Sequence, residues 1–196
     1  MSKSERDTDF FVPSAHAKNR WTIVPRVLLI DADGNIPLLP HKGRIGLFGG
    51  HIKLKEFNAI EGLNLLDPAT TFPTLSREVT EEAKVDISHH LHTMTCLGIA
   101  EIEQYDLTST KPIMTNILVP IFLGLTPKIS YPDHVYMTRL DDIPKLLYPD
   151  AALALWHVRR NRRNHTKGPI FPAWLNQGRH VVFVKSKNDN FVKYFH

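Results

Sequence analysis

The chain has 196 residues, 42% hydrophobic and 22% charged, with a net charge of +4 and eleven histidines, which is the balance of an ordinary soluble globular protein. Its single cysteine, Cys96, excludes an intramolecular disulfide framework and a cysteine-rich zinc site, and no apolar run approaches the length of a membrane span. The length suits one domain with a decorated core.

Residues 1–20 read as a flexible arm ahead of one domain over 21–196. Met1 to Asp9 is polar and lacks a signal-peptide pattern, so a cytoplasmic, reducing location is expected. Trp21 to Ile30 is β-branched and aliphatic and predicts a strand with Pro25 at an edge or bulge. Asp31-Ala32-Asp33-Gly34-Asn35 is a hairpin turn signal, and Ile36 to Leu39 reads as the returning partner strand. Gly43 to Phe48 leads into Gly49-Gly50, where two glycines admit backbone conformations closed to other residues and close approach of a ligand. A helix is predicted from Pro73 or Thr74 through Lys84, with proline in its first turn.

His89, His90 and His92 follow in a polar loop and lack the i, i+4 spacing of a zinc site. Met94 to Glu103 and Ile113 to Leu123 predict two strands. The second is apolar enough to be buried on both faces, and Cys96 reads as a buried strand thiol. Ala151 to Arg163 predicts a helix capped by Asp150, and Val181 to Lys185 a last short strand. The run His157 to Lys167 concentrates the positive charge. Arg159 to Arg163 there suit either the phosphates of a nucleotide or RNA, or the negative pole of the helix. Trp156 and Trp174, flanking the run, read as core.

Within the first predicted helix stands Arg77-Glu78-Val79-Thr80-Glu81-Glu82-Ala83-Lys84-Val85. Residues three and four apart share a helix face, so Glu78 neighbours Glu81 and Glu82, and Arg77 neighbours Glu81. Three carboxylates so close repel one another unless a cation sits among them, and a hard divalent ion such as Mg²⁺ prefers oxygen ligands. The alternative is a solvated acidic face. Against it stand apolar Val79 and Val85, the lone arginine beside one glutamate, and the glycine segment upstream.

Together, Gly50 to Glu56 and Arg77 to Val85 resemble the Nudix hydrolase signature GX5EX7REUXEEXGU, in which U is a bulky aliphatic residue. Chance alone would place R-E-U-x-E-E in such a chain on the order of once in a thousand, at about 6% usage of each charged type. Two departures stand out. Twenty residues separate Glu56 from Arg77 where the family has seven, which implies an insertion near 57–73, so that spacing assigns neither Glu56 nor Glu61 to the place of the family's first glutamate. Lys84 replaces the glycine that ends the family's helix in a left-handed cap, so the helix is expected to run on to about Asp86 to Ser88.

The resemblance implies an α/β/α sandwich with a mixed β-sheet, and a Mg²⁺-dependent pyrophosphohydrolase (Mn²⁺ being the alternative ion) that cleaves a nucleoside diphosphate linked to another moiety. Glu78, Glu81 and Glu82 would be metal ligands, with Arg77, Glu78 and Glu81 as the catalytic set, and Gly49, Gly50 and Asp133 beside the substrate. Asp133 and a helix glutamate both remain open as general base, with His134 available to orient substrate. Two other functions stay open: a nucleotide-sensing binding module, and an RNA 5′-cap processing hydrolase gripping its substrate through Arg159 to Arg163. The insertion would select the substrate or contribute a homodimer contact. No membrane partner is expected.

Overall fold

The computed structural model describes residues 11–13, 19–59, 64–106, 113–164, 182–185 and 191–195, and the side chains of 22–59, 64–100, 102 and 117–160. Its centre is β7 (Ile113–Thr126), paired antiparallel with β6 (Thr95–Asp106) along one edge. The opposite edge is shared by two short strands lying end to end. β2 (Asn19–Ile23) pairs parallel with residues 114–118, and β3 (Arg26–Asp31) with residues 121–126. The predicted continuous strand is therefore broken at Val24-Pro25. Val24 N–H still donates to Leu118 O at 2.9 Å, but Pro25 has no N–H to offer. By strand alternation Pro120 turns its donor-less nitrogen toward this same gap, so both prolines sit where the ladder is interrupted.

Two strands lie in the stretch expected to be a flexible arm: β1 (Phe11–Pro13), antiparallel to β2, and the start of β2 itself. β9 (Val182–Lys185) matches the predicted last strand, and β10 (Phe191–Phe195), which sequence reading missed, joins it to β6. The Asp31 turn forms as expected. Its carboxylate accepts from the backbone N–H groups of Asp33 and Asn35 and from Asn35 Nδ2 at 2.8–2.9 Å, and Gly34 takes a φ of 79°. The returning strand β4 (Asn35–His41) then leaves the first sheet. Its ladder partners are β5 (Arg44–Gly46) and β8 (Tyr136–Arg139), not β3.

Alternation along β3 and β7 supplies two apolar layers. Leu28, Ile30, Ile121 and Leu123 pack with Ala151, Ala154, Leu155 and Val158 of α3 (Pro149–Asn164). On the other face, Val27, Leu29 and Phe122 pack with Phe48 and with Leu75, Val79 and Ala83 of α2 (Pro68–Ala83). This is the mixed-sheet α/β/α sandwich. Asp150 lies inside the first turn of α3 rather than ahead of it as a cap. Trp156 is exposed, not core, with the Arg160 guanidinium 5.2 Å above its ring. Trp174, Glu61, and the side chains of Arg162 and Arg163 lie outside the described residues. Cys96 is partly buried on β6, and burial pushes its thiol up to about 11, away from nucleophile chemistry. Among the described residues no helix is long and apolar enough to cross a membrane.

Candidate active site

The glycine loop is held to the sheet by its own backbone. Phe48 O accepts from Val27 N–H at 2.9 Å, and Ile52 N–H donates to Ile23 O at 3.2 Å. Between these anchors Gly49 takes a φ of +131°. A Cβ there would lie 2.1 Å from Pro25 O, so no side chain fits. At Gly50 a Cβ would lie 2.3 Å from the Glu78 carboxylate, which places Glu78 directly against the loop. After the loop, α1 (Leu54–Asn58) presents Glu56, whose Oε2 accepts from Lys53 N–H at 2.9 Å in a capping arrangement.

The carboxylate helix begins earlier than predicted. Asp67 caps α2 by accepting from Ala69 N–H at 2.9 Å, and Pro68 takes the first helical position. Pro73 is thus inside the helix, where its missing N–H frees the carbonyl of Ala69. That residue is exposed, so water can satisfy the carbonyl. The helix also ends earlier than predicted. Lys84, not a later residue, closes it, in the left-handed conformation (φ 57°, ψ 30°) that glycine usually supplies, and its N–H donates to Thr80 O at 3.1 Å. The last carbonyls are satisfied from outside the helix ladder: Lys84 Nζ donates to Glu81 O at 2.9 Å, and His134 Nε2 meets Glu82 O at 2.6 Å. These contacts make an extension to Asp86 or Ser88 unnecessary.

Arg77 gathers the site. Its Nε donates to Glu56 Oε1 at 2.7 Å, Nη1 to Glu78 Oε1 at 2.6 Å and to Glu81 Oε2 at 3.3 Å, and Nη2 to His51 O at 3.1 Å. Across the twenty intervening residues, Glu56 is therefore the first glutamate that meets the arginine. Buried Thr74 adds its hydroxyl to Glu56 Oε2 at 2.9 Å. Burial alone would raise the Glu56 pKa. The Arg77, Lys53 and Thr74 hydrogen bonds and the Arg77 charge outweigh it and hold the carboxyl below its usual range.

Glu82 is the opposite case. Its Oε2 accepts from Gly49 N–H at 3.2 Å, yet burial pushes its pKa up to about 7. The Gly49 bond and the charge of Arg26 oppose the shift, while Glu78 and Glu81 add to it. Glu81 stands apart with a side chain 61% exposed, against 14% for Glu78. Glu78 uses Oε1 for Arg77, and Glu82 uses Oε2 for the Gly49 N–H.

No family profile and no curated protein sequence matches the chain. Solved structures with a similar chain course include a MutT Nudix hydrolase from Burkholderia pseudomallei, at 18% identity and a TM-score of 0.46 over 69% of this chain and 96% of that one. A MutT protein from Methanosarcina mazei Go1 gives 18% and 0.42 over 75% and 96%, and the C. elegans Ap4A hydrolase 14% and 0.40 over 69% and 95%. In this chain a glycine loop and a carboxylate helix are joined through Arg77 on a mixed sheet. The likeness to these Nudix proteins is one of chain course.

Of the residues the motif singled out, Gly49, Gly50, Arg77, Glu78 and Glu82 meet at one place on this fold, with Glu81 at its solvent edge. Asp133 is exposed in the turn closed by Val135 N–H and Pro132 O at 2.9 Å, one residue from the His134 contact with Glu82 O. Sequence reading missed Arg26 and Thr74. Neither belongs to the motif, and only chain folding brings strand β3 to the loop. Among the described residues no three or more His, Cys, Asp or Glu side chains are grouped so that they could hold a metal ion.

Proposed function

We propose that the chain is a Mg²⁺-dependent Nudix pyrophosphohydrolase acting on a nucleoside diphosphate linked to another moiety. The observation that carries this reading is the charge imbalance at the loop. Glu56, Glu78, Glu81 and Glu82 converge where Arg77 serves three of them, and Glu82 is left half-buried, with its pKa pushed up to about 7. A bound divalent cation would relieve that imbalance. Hard carboxylate oxygens suit Mg²⁺ or Mn²⁺, and Mg²⁺ characteristically takes one or two carboxylates together with substrate phosphates and water, so a closed protein cage is not required.

Glu78 and Glu82 would hold the ion, with Glu81 as a third ligand from the solvent edge. When bound, the ion supplies charge neutralisation at the phosphoryl oxygens and lowers the pKa of water. The protein's own residues do the rest. Arg77 fixes Glu78 by a charge-assisted bond and keeps Glu56 ionised. Gly50 lets the backbone lie against Glu78, and Gly49 N–H fixes one oxygen of Glu82. Asp133 or the helix glutamate Glu81, both exposed, would serve as general base. The insertion near 57–73, which runs from the end of α1 into the start of α2, would select the moiety attached to the diphosphate.

The test is Mg²⁺-dependent turnover of a panel of nucleoside diphosphate derivatives and 5′-capped RNA, with products identified by mass. Cleavage of any member supports the reading. Tight nucleotide binding without Mg²⁺-dependent cleavage would replace it with a sensing module. The capped-RNA reading has one observation in its favour, the exposed Trp156 ring with Arg160 above it beside the basic end of α3. Such a surface suits base stacking and phosphate contact. Affinity for capped RNA would then fall steeply with salt, whereas affinity no better than for a free nucleotide at low salt removes that reading.

A further inference from the structure

Arg26 opens β3, one residue after the Pro25 break, with its side chain 28% exposed. Three parts of the molecule meet at its guanidinium. Nη1 donates to Gly49 O, Nε lies 3.4 Å from Asp150 Oδ2 in the first turn of α3, and the positive charge acts on the Glu82 carboxylate. The planar fork of a guanidinium can serve a carbonyl and a carboxylate together, which a lysine ammonium on a shorter reach does less well.

Gly49 needs such a grip. Glycine has more backbone freedom than any other residue, and here its N–H must point at Glu82 Oε2, 3.2 Å away. The peptide before Gly49 is held by Val27 N–H on Phe48 O at 2.9 Å. The peptide after it is held by Arg26 on Gly49 O. Consecutive residues of one strand thus clamp the glycine from both sides, while Pro25 O occupies the space a Cβ would need. The anchor of the clamp lies across the sheet from α2, at Asp150, whose side chain is only 10% exposed.

We propose that Arg26 is a positioning residue: braced on Asp150, its guanidinium holds the Gly49 carbonyl and so supplies, beside Val27 N–H on Phe48 O, the second grip that keeps the Gly49 N–H on one oxygen of Glu82 and that carboxylate set for the cation. The inference rests on the reading of Glu82 as a cation ligand. It gives the sheet and α3 a direct mechanical hold on the active-site loop, through residues outside the signature motif.

The test compares Arg26→Met/Asp150→Asn with Asp150→Asn alone, so that no buried carboxylate is left unpaired in either protein. Arg26→Lys serves as the conservative replacement. In metal-free, substrate-free protein, the Gly49 amide is followed by its ¹⁵N–¹H shift and hydrogen-exchange protection. Mn²⁺ affinity is read by electron paramagnetic resonance, and turnover by steady-state kinetics. The double variant should lose Gly49 protection, and both kcat and Mn²⁺ affinity should fall about 10- to 100-fold, the usual effect of losing an outer partner of a metal ligand. KM should move by less than about threefold, and Arg26→Lys should recover part of each loss. An unchanged Gly49 amide in the folded double variant overturns the proposal, as does a changed amide with Mn²⁺ affinity intact. If the wild-type chain cleaves no diphosphate, the functional reading fails separately, and the amide and Mn²⁺ measurements still decide the role of Arg26.

Discussion

Glu82→Gln should make the metal-free protein more stable at pH 8 while abolishing turnover. The carboxyl is pushed from its ordinary 4.5 up to about 7, first by burial and then by Glu78 and Glu81. Between these two pH values the folded chain keeps a proton that the unfolded chain gives up. Stability therefore falls as pH rises through that window, and above about pH 7 the full penalty is present. Each tenfold change in proton affinity is about 1.4 kcal/mol, which sets a ceiling of about 3 kcal/mol. Screening of a partly exposed carboxylate reduces this to roughly 1–2 kcal/mol. Glutamine carries no charge and still offers an acceptor to Gly49 N–H, so the variant should gain that amount at pH 8 and little at pH 5. The assay is urea unfolding followed by circular dichroism at both pH values in the presence of a chelator. Saturating Mg²⁺ should narrow the gap by stabilising the wild type alone. An equal difference at both pH values, or a variant less stable at pH 8, would refute the electrostatic account of the site. Turnover of the variant should fall at least about 100-fold, since a metal ion supplies several kcal/mol of transition-state stabilisation.

Gly50→Ala would drive a methyl group to 2.3 Å from the Glu78 carboxylate. The side chain must move, so Mg²⁺ activation should weaken while circular dichroism stays native, and unchanged Mg²⁺ activation would contradict the placement of Glu78. Lys84→Gly removes a non-glycine residue from a left-handed cap and should raise stability by up to about 1 kcal/mol in urea, less whatever the Lys84 Nζ bond to Glu81 O contributes. Thr74→Val takes one hydrogen bond from Glu56, whose depressed pKa contributes stability that is present above pH 4.5 and lost as pH falls through the folded value. The variant should lose about 1 kcal/mol at pH 7 and progressively less in acid, measured by the same unfolding assay; a pH-independent loss would point to packing alone.

Much of the site was legible in one stretch of sequence because it is local. Glu78, Glu81 and Glu82 share a helix face through the helical repeat alone, and Arg77 reaches Glu78 and Glu81 without any tertiary contact. The double glycine likewise announced a loop that side chains would block, and Gly49 and Gly50 both meet that description. The strand runs around Leu28 and Phe122 were visible in their apolar composition, and so was the mixed α/β character of the chain.

Local sequence does not carry what depends on closure between distant segments. Proline is costly inside a helix, so Pro73 marked a false start, and only the Asp67 cap with Pro68 behind it moved the boundary. Lysine disfavours a left-handed backbone, so Lys84 argued for a longer helix until His134 and its own side chain satisfied the last carbonyls. The choice of Glu56 for Arg77 needed a chain path that brings α1 against α2, which no spacing rule supplies once twenty residues intervene. Arg26 reaches Gly49 and Asp150 because β3 lies beneath the loop and beside α3. The sequence by itself determined which carboxylates share one helix face. The tertiary structure decided how far each of them is buried and which are paired with arginine, because burial and pairing depend on what the rest of the chain packs against each group.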